Sequence, residues 1–143
     1  MKSANALHFS SNADFKALID DLSKNQLKQN MVPASLARIL RPYQKAGFNW
    51  LSTIVNYNFG GLLADEMGLG KTLQILALIL ARKEQKKEHS FSLIVAPASV
   101  VYNWQNEANK FTPNLRVAVL GGNKQARTSL LRDAQNYDLL ITS

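Results

Sequence analysis

The chain has no cysteine, two histidines and four prolines in 143 residues. Without cysteine there is no disulfide framework and no thiolate metal site. His8 and His89 stand far apart in polar surroundings, so a histidine-based metal centre is not expected. Long apolar runs are missing too. The longest, Leu73 to Ala81, is far shorter than a membrane span and includes Gln74. The N-terminus lacks the apolar segment of a secretory leader. Acidic residues are scarce: 10 stand against 17 basic ones, a net charge of +7. That excess suits an anionic partner such as nucleic acid, and equally an ordinary basic surface. These absences point to a soluble, intracellular protein without a membrane partner. No clear nuclear signal is present, which favours a bacterial cytoplasm.

What is present suffices for one globular domain, since 46% of the residues are hydrophobic. The chain is organised around Gly61 to Leu73. This stretch reads as a short buried strand, a glycine-bearing loop and the start of a long apolar helix. Its centre, Gly68-Leu69-Gly70-Lys71-Thr72, has the form of a phosphate-binding loop. Glycines let such a loop wrap a phosphate with its N–H groups inward. The following helix adds its unpaired N–H groups and the positive end of its dipole. Lys71 supplies charge for the β- and γ-phosphates, and Thr72 a hydroxyl for Mg²⁺. The general pattern G-x-x-x-x-G-K-[ST] is incomplete, because Asp65 stands where its first glycine belongs. The setting of strand before and helix after carries the assignment; a tight turn with an exposed lysine is the alternative.

The rest of the chain reads in order. Met1 to Ser11 is a polar, flexible end, and Asn12 can cap a helix carrying Phe15, Leu18, Ile19 and Leu22. We assign residues 1–31 to this accessory segment and 32–143 to the main unit. Pro42 suits the first turn of a helix whose stripe is Tyr43, Ala46, Gly47, Trp50, Leu51, Ile54 and Val55. Gln44 lies just off that stripe. Spacing alone makes it a surface residue, although its amide could pair with a purine edge. Asn58 to Gly60 ends the helix. The helix from Lys71 is apolar through Leu80 and then basic from Arg82, which reads as a solvated end in preference to a nucleic-acid patch.

Three further apolar strands are expected: Ser92 to Ala96, Arg116 to Leu120 and Tyr137 to Thr142. Between them lie two helices. Ser99 is expected to cap the first, with its stripe at Val101, Trp104, Ala108 and Phe111. Asn123 is expected to cap the second. Strands apolar on both faces and alternating with helices give an α/β fold, a parallel sheet with helices on both faces. Its loops at the carboxyl edge would bind ligands.

Taken together, Leu40-Arg-Pro-Tyr-Gln44, Leu63-Ala-Asp-Glu-Met-Gly-Leu-Gly-Lys-Thr72 and Val95-Ala-Pro-Ala-Ser99 with Trp104 and Glu107 resemble the Swi/Snf family of DNA-translocating ATPases. That family belongs to helicase superfamily two. The resemblance covers about Val32 to Ser143, and Asp65 fits it. It implies a P-loop, RecA-like motor lobe. It also implies that Gln44, helped by Arg41, contacts adenine. Met67, Gly68, Leu69, Gly70, Lys71 and Thr72 would hold ATP and Mg²⁺, with Lys71 and Thr72 serving catalysis. Pro97, Ala98, Ser99, Gly121, Gly122 and Thr142 would meet the backbone of double-stranded DNA without reading its sequence. Trp104 is expected to pack.

The departures matter as well. The family's hydrolytic Asp-Glu pair does not follow the loop, and Asp65-Glu66 lies inside it. The second lobe with its arginine fingers, worth orders of magnitude in rate, is not in this sequence. A truncated first lobe that binds nucleotide and hydrolyses it hardly at all is therefore expected, and its sheet edge would favour self-association. Competing readings are an RNA helicase lobe of the same superfamily, a non-catalytic nucleotide-binding module and a small P-loop phosphotransferase. The Gln44 helix and Pro97 to Ser99 argue against the last.

Overall fold

Pro33 is buried and starts a turn, closed by the N–H groups of Leu36 and Ala37 on its carbonyl, that sinks Leu36 and Leu40 into the core. The computed structural model describes residues 31–85 and 91–143, together with Lys16 and Asp20, which are helical. The helix expected after Asn12, with Phe15, Leu18, Ile19 and Leu22, otherwise falls outside the described residues. The run from Lys86 to Ser90 does so too.

Helix α1 spans Pro42–Asn56, with proline in its first turn as its fixed φ favours. It ends where Asn58 adopts a φ of 57°, a left-handed value that asparagine tolerates. Helix α2 spans Lys71–Gln85, α3 Val101–Phe111 and α4 Lys124–Arg132. Strands β1 (Ser92–Val95), β2 (Val117–Val119) and β3 (Leu139–Thr142) pair in the order β1-β3-β2, all parallel. Single turns of 3₁₀ helix, Ala98–Val100 and Ala134–Asn136, precede α3 and β3.

Strand β3 is the centre of the core. Leu139 and Ile141 face a cluster that includes Leu76 and Leu80 of α2 and Val101 and Ala108 of α3. Leu140 points the other way, onto Ala118, Ala134 and the flank of α4 at Leu130. Helical cover on both faces is what a central parallel strand requires. Each of these three β3 side chains is fully buried, which contributes about 1.5–3 kcal/mol apiece.

Four expectations are corrected. The stretch Gly61 to Ala64 has no regular secondary structure and joins no ladder, so the described sheet has three strands. A strand exists through hydrogen bonds to a neighbour, and this stretch pairs with neither β1 nor β2, the outer strands of the described sheet. Leu62 is accordingly 82% exposed. Strand β1 is covered on one face only. Ile94 packs inward, while Leu93 and Val95 are 54% and 70% exposed because no described helix lies over them.

Ser99 does not cap α3. It lies inside the 3₁₀ turn closed by Val100 N–H on the Pro97 carbonyl, and Val100, which has no acceptor, holds the cap position. Asn123 does cap α4, accepting from Ala126 N–H at 2.9 Å. Finally, the buried face of α1 is Gln44, Phe48, Leu51 and Ser52, whereas Tyr43 and Trp50 are 40% and 43% exposed. The face is rotated because α1 packs against α2 and the loop before it, and both offer polar partners as well as apolar ones.

A polar knot ties the far edge of the sheet. Asp138 is buried and accepts from Arg116 N–H at 2.7 Å, Arg116 Nη2 at 3.1 Å and Lys83 Nζ at 2.8 Å. Lys83 also donates to the Asn114 carbonyl. The end of α2 and the starts of β2 and β3 therefore share one carboxylate. Burial would raise the Asp138 pKa. The hydrogen bonds from Arg116 and Lys83 outweigh that and hold it well below the ordinary carboxylate range.

Candidate functional site

The loop between α1 and α2 takes its shape from two glycines. Gly68 and Gly70 have φ of 84° and 76°, which only glycine adopts without strain. They turn the chain into α2, whose first turn begins at Lys71. The helix bond from Gln74 N–H to the Gly70 carbonyl leaves the N–H groups of Lys71, Thr72 and Leu73 without helical acceptors. No acidic side chain occupies that turn. A cation at position one of a helix opposes the dipole, so Lys71 and the free N–H groups together favour an incoming anion.

Lys71 is held in place by its own loop. Its Nζ donates to the carbonyls of Asp65 at 2.6 Å and Glu66 at 2.8 Å. Thr72 follows one position into the helix and is half-buried, as is Lys71. Met67 is almost fully exposed, at 96%.

Gln44 is not a surface residue: it is 6% exposed. Its Oε1 accepts from Arg41 N–H at 2.9 Å and caps α1. Its Nε2 donates to the Leu69 carbonyl at 3.0 Å. These partners fix which way the amide points and leave one lone pair and one N–H for a further ligand. Tyr43, expected in the apolar stripe, sends its hydroxyl to the same Leu69 carbonyl at 3.2 Å. Gln44 and the loop are thus in direct contact across 25 residues of sequence.

A Cβ on Gly70 would lie 2.4 Å from Gln44 Nε2. Gly70→Ala therefore adds a clash to a left-handed strain of about 1–3 kcal/mol. Weakened nucleotide binding with a fall of several degrees in thermal midpoint is the expected result. An unchanged dissociation constant would show that the loop does not need this conformation.

The other expected residues gather at the carboxyl edge of the sheet. Ala96 N–H donates to the Thr142 carbonyl and Leu120 N–H to that of Ile141, both within 2.9 Å. Parallel pairing then brings Pro97, Ala98 and Ser99, Gly121 and Gly122, and Thr142 to one edge. Gly122 has φ of 82° and leads into α4, where Lys124 and Arg127 are exposed. Among the described residues no hydrogen bond joins this edge to the phosphate loop.

One contact was missed by sequence reasoning. Asp65 accepts from Gln74 Nε2 at 2.9 Å, and Gln74 is 1% exposed. The available signal was Gln74 itself, a lone polar side chain inside the apolar run from Leu73 to Ala81.

Comparison with known proteins decides the family. The SNF2-related domain matches residues 43–143. The chain belongs to the SNF2 family. The Bacillus subtilis protein YwqA is 38% identical over 139 residues, covering 96% of this SNF2 chain and 15% of its own length. The human SWI/SNF-related matrix-associated actin-dependent regulator of chromatin subfamily A member 1 is 40% identical over 107 residues, 73% of this chain and 10% of its own. A Sulfolobus solfataricus SWI2/SNF2 ATPase core in complex with dsDNA superposes with a TM-score of 0.65 at 38% identity, covering 81% of this chain and 23% of that one. This SNF2 chain thus matches part of an ATPase core and spans no more than 15% of either sequence relative.

Proposed function

We propose that this chain is the nucleotide-binding front of the first motor lobe of an ATP-dependent DNA translocase, a lobe beginning near Val32. The carrying observation is the contact of Gln44 with the Leu69 carbonyl, which sets a donor–acceptor amide beside a phosphate loop. Inclusion of Leu36 and Leu40 in the core supports the boundary.

Gly68 to Thr72 would cradle the triphosphate with backbone N–H groups, and Lys71 would move from its loop carbonyls to the β- and γ-phosphates. Gln44 would present its remaining lone pair and N–H to adenine. Arg41 is exposed beside it. Bound Mg²⁺ would neutralise phosphate charge. A single hydroxyl from Thr72 fits a cation that keeps phosphate oxygens and waters as its other ligands. No Asp-Glu pair follows the loop, so this chain alone binds ATP and turns it over negligibly.

Titration with a fluorescent ATP analogue and Mg²⁺ tests the reading. Saturable binding, displaced by ATP, is expected; no binding at any accessible concentration would sink it.

Double-stranded DNA would meet the edge formed by Pro97 to Ser99, Gly121, Gly122 and Thr142. The dsDNA in the similar Sulfolobus core supports this partner. Binding should be indifferent to sequence. It should weaken about tenfold between 50 and 200 mM salt if two phosphates are neutralised. A flat salt profile would count against it. A DNA partner suits the bacterial cytoplasm favoured above. The exposed Leu93 and Val95 of β1 should also promote self-association. A monodisperse monomer by light scattering would contradict that.

A further inference from the structure

The contact behind the phosphate loop has a feature that packing alone does not call for. Gln74 lies in the first turn of α2, buried between apolar neighbours. Its Nε2 reaches Asp65 Oδ2. Its Oε1 is buried with no hydrogen-bond partner among the described residues. Opposite it stands Gly47 of α1, where a Cβ would fall 1.9 Å from Oε1 and 3.1 Å from Cδ. The α1–α2 contact is thus notched by a glycine to admit a glutamine whose acceptor is left unsatisfied. A leucine would fill the slot with no such penalty.

The amide does hold Asp65. That residue stands where the general loop pattern has its first glycine. The carbonyls of Asp65 and its neighbour Glu66 are also the two acceptors of the Lys71 ammonium. We propose that Gln74 is a positioning residue for the phosphate loop. It anchors the Asp65 carboxylate to α2, so that the Asp65-Glu66 backbone holds Lys71 ready for phosphate, and Gly47 exists to make room for it. This deepens the nucleotide-site reading and rests on it.

A purely structural role would move stability and binding together, whereas positioning separates them. Gln74→Leu removes an unsatisfied buried acceptor, and the Asp65 carboxylate is only half-buried. Thermal stability should be kept or raised. Affinity for the fluorescent ATP analogue should fall about tenfold, the equivalent of about 1.4 kcal/mol. Backbone amide resonances of Gly68 to Thr72 should shift while those of Leu139 to Ile141 stay in place.

Gly47→Ala should weaken binding in the same way. It should do little when added to Gln74→Ala, because the clash is with the carboxamide alone. Wild-type affinity with unmoved loop resonances in Gln74→Leu would overturn the proposal, and so would a parallel loss of stability and affinity. If the wild type binds no nucleotide but Gln74→Leu still shifts the loop resonances, positioning stands and the nucleotide reading fails.

Discussion

Lys71→Ala abolishes measurable nucleotide binding while leaving the fold intact. That is the expected result, and the loop geometry explains both halves of it. The ammonium lies at the start of α2, tied to two backbone carbonyls. On binding it would exchange these for phosphate oxygens. Charge-assisted hydrogen bonds of this kind contribute about 1.5–3 kcal/mol each, so losing two weakens binding about 100-fold or more. The fold is spared because Glu66 is exposed and Asp65 only half-buried, so water can serve the abandoned carbonyls. The check is a fluorescent-analogue titration of both proteins at one Mg²⁺ concentration, beside thermal melts by circular dichroism. Equal dissociation constants would remove Lys71 from the site. A collapsed melt would mean that the lysine mainly holds the loop.

Asp138→Asn should destabilise the chain by about 2–3 kcal/mol at neutral pH. The cause is loss of charged hydrogen bonds at a buried carboxylate. The loss is no larger because Lys83 and Arg116 are 36% and 50% exposed, and water takes up part of their charge. The pH dependence follows from the sign of the shift. The folded state holds Asp138 below its ordinary value of 3.8, so the unfolded chain binds the proton more readily. This contribution is complete above the unfolded pKa. It is lost as pH falls below about 4 towards the folded value. Urea melts at a series of pH values should show wild-type stability falling in that acid range, with a shallower fall in Asp138→Asn. Parallel curves would exclude Asp138 as the source. Nucleotide binding, measured where both proteins are folded, should not change, because the knot meets α2 in its last turn, at Lys83, whereas the glycine loop and Lys71 lie at the helix's other end.

Much of the candidate site was legible because its sequence pattern is local. Gly68, Gly70, Lys71 and Thr72 are consecutive or nearly so, and a glycine-lysine-threonine loop ahead of an apolar helix needs no distant partner to be recognised. The caps divide along the same line. Asn123 sits one residue before its helix and caps it, whereas Ser99 was displaced by a 3₁₀ turn that no propensity marks. The three sheet strands were visible as apolar runs. Gly61 to Ala64 was not a strand in the described sheet, because strand identity depends on a neighbour that composition does not name.

The sequence by itself determined the α/β class, the glycine turn ahead of α2, the alternation of the three sheet strands with α3 and α4 and, through several motifs in register, the SNF2 family. Tertiary structure alone decided which face of α1 is buried. It drew Gln44 and Tyr43 onto the Leu69 carbonyl, 25 and 26 residues away. It matched Gly47 to Gln74 across two helices, and it gathered Lys83, Arg116 and Asp138 into one knot. The physical reason is common to all of these. Periodicity reports how much of a helix is apolar, but a buried polar side chain is allowed only where a partner meets it, and that partner is set by packing between segments far apart in the chain.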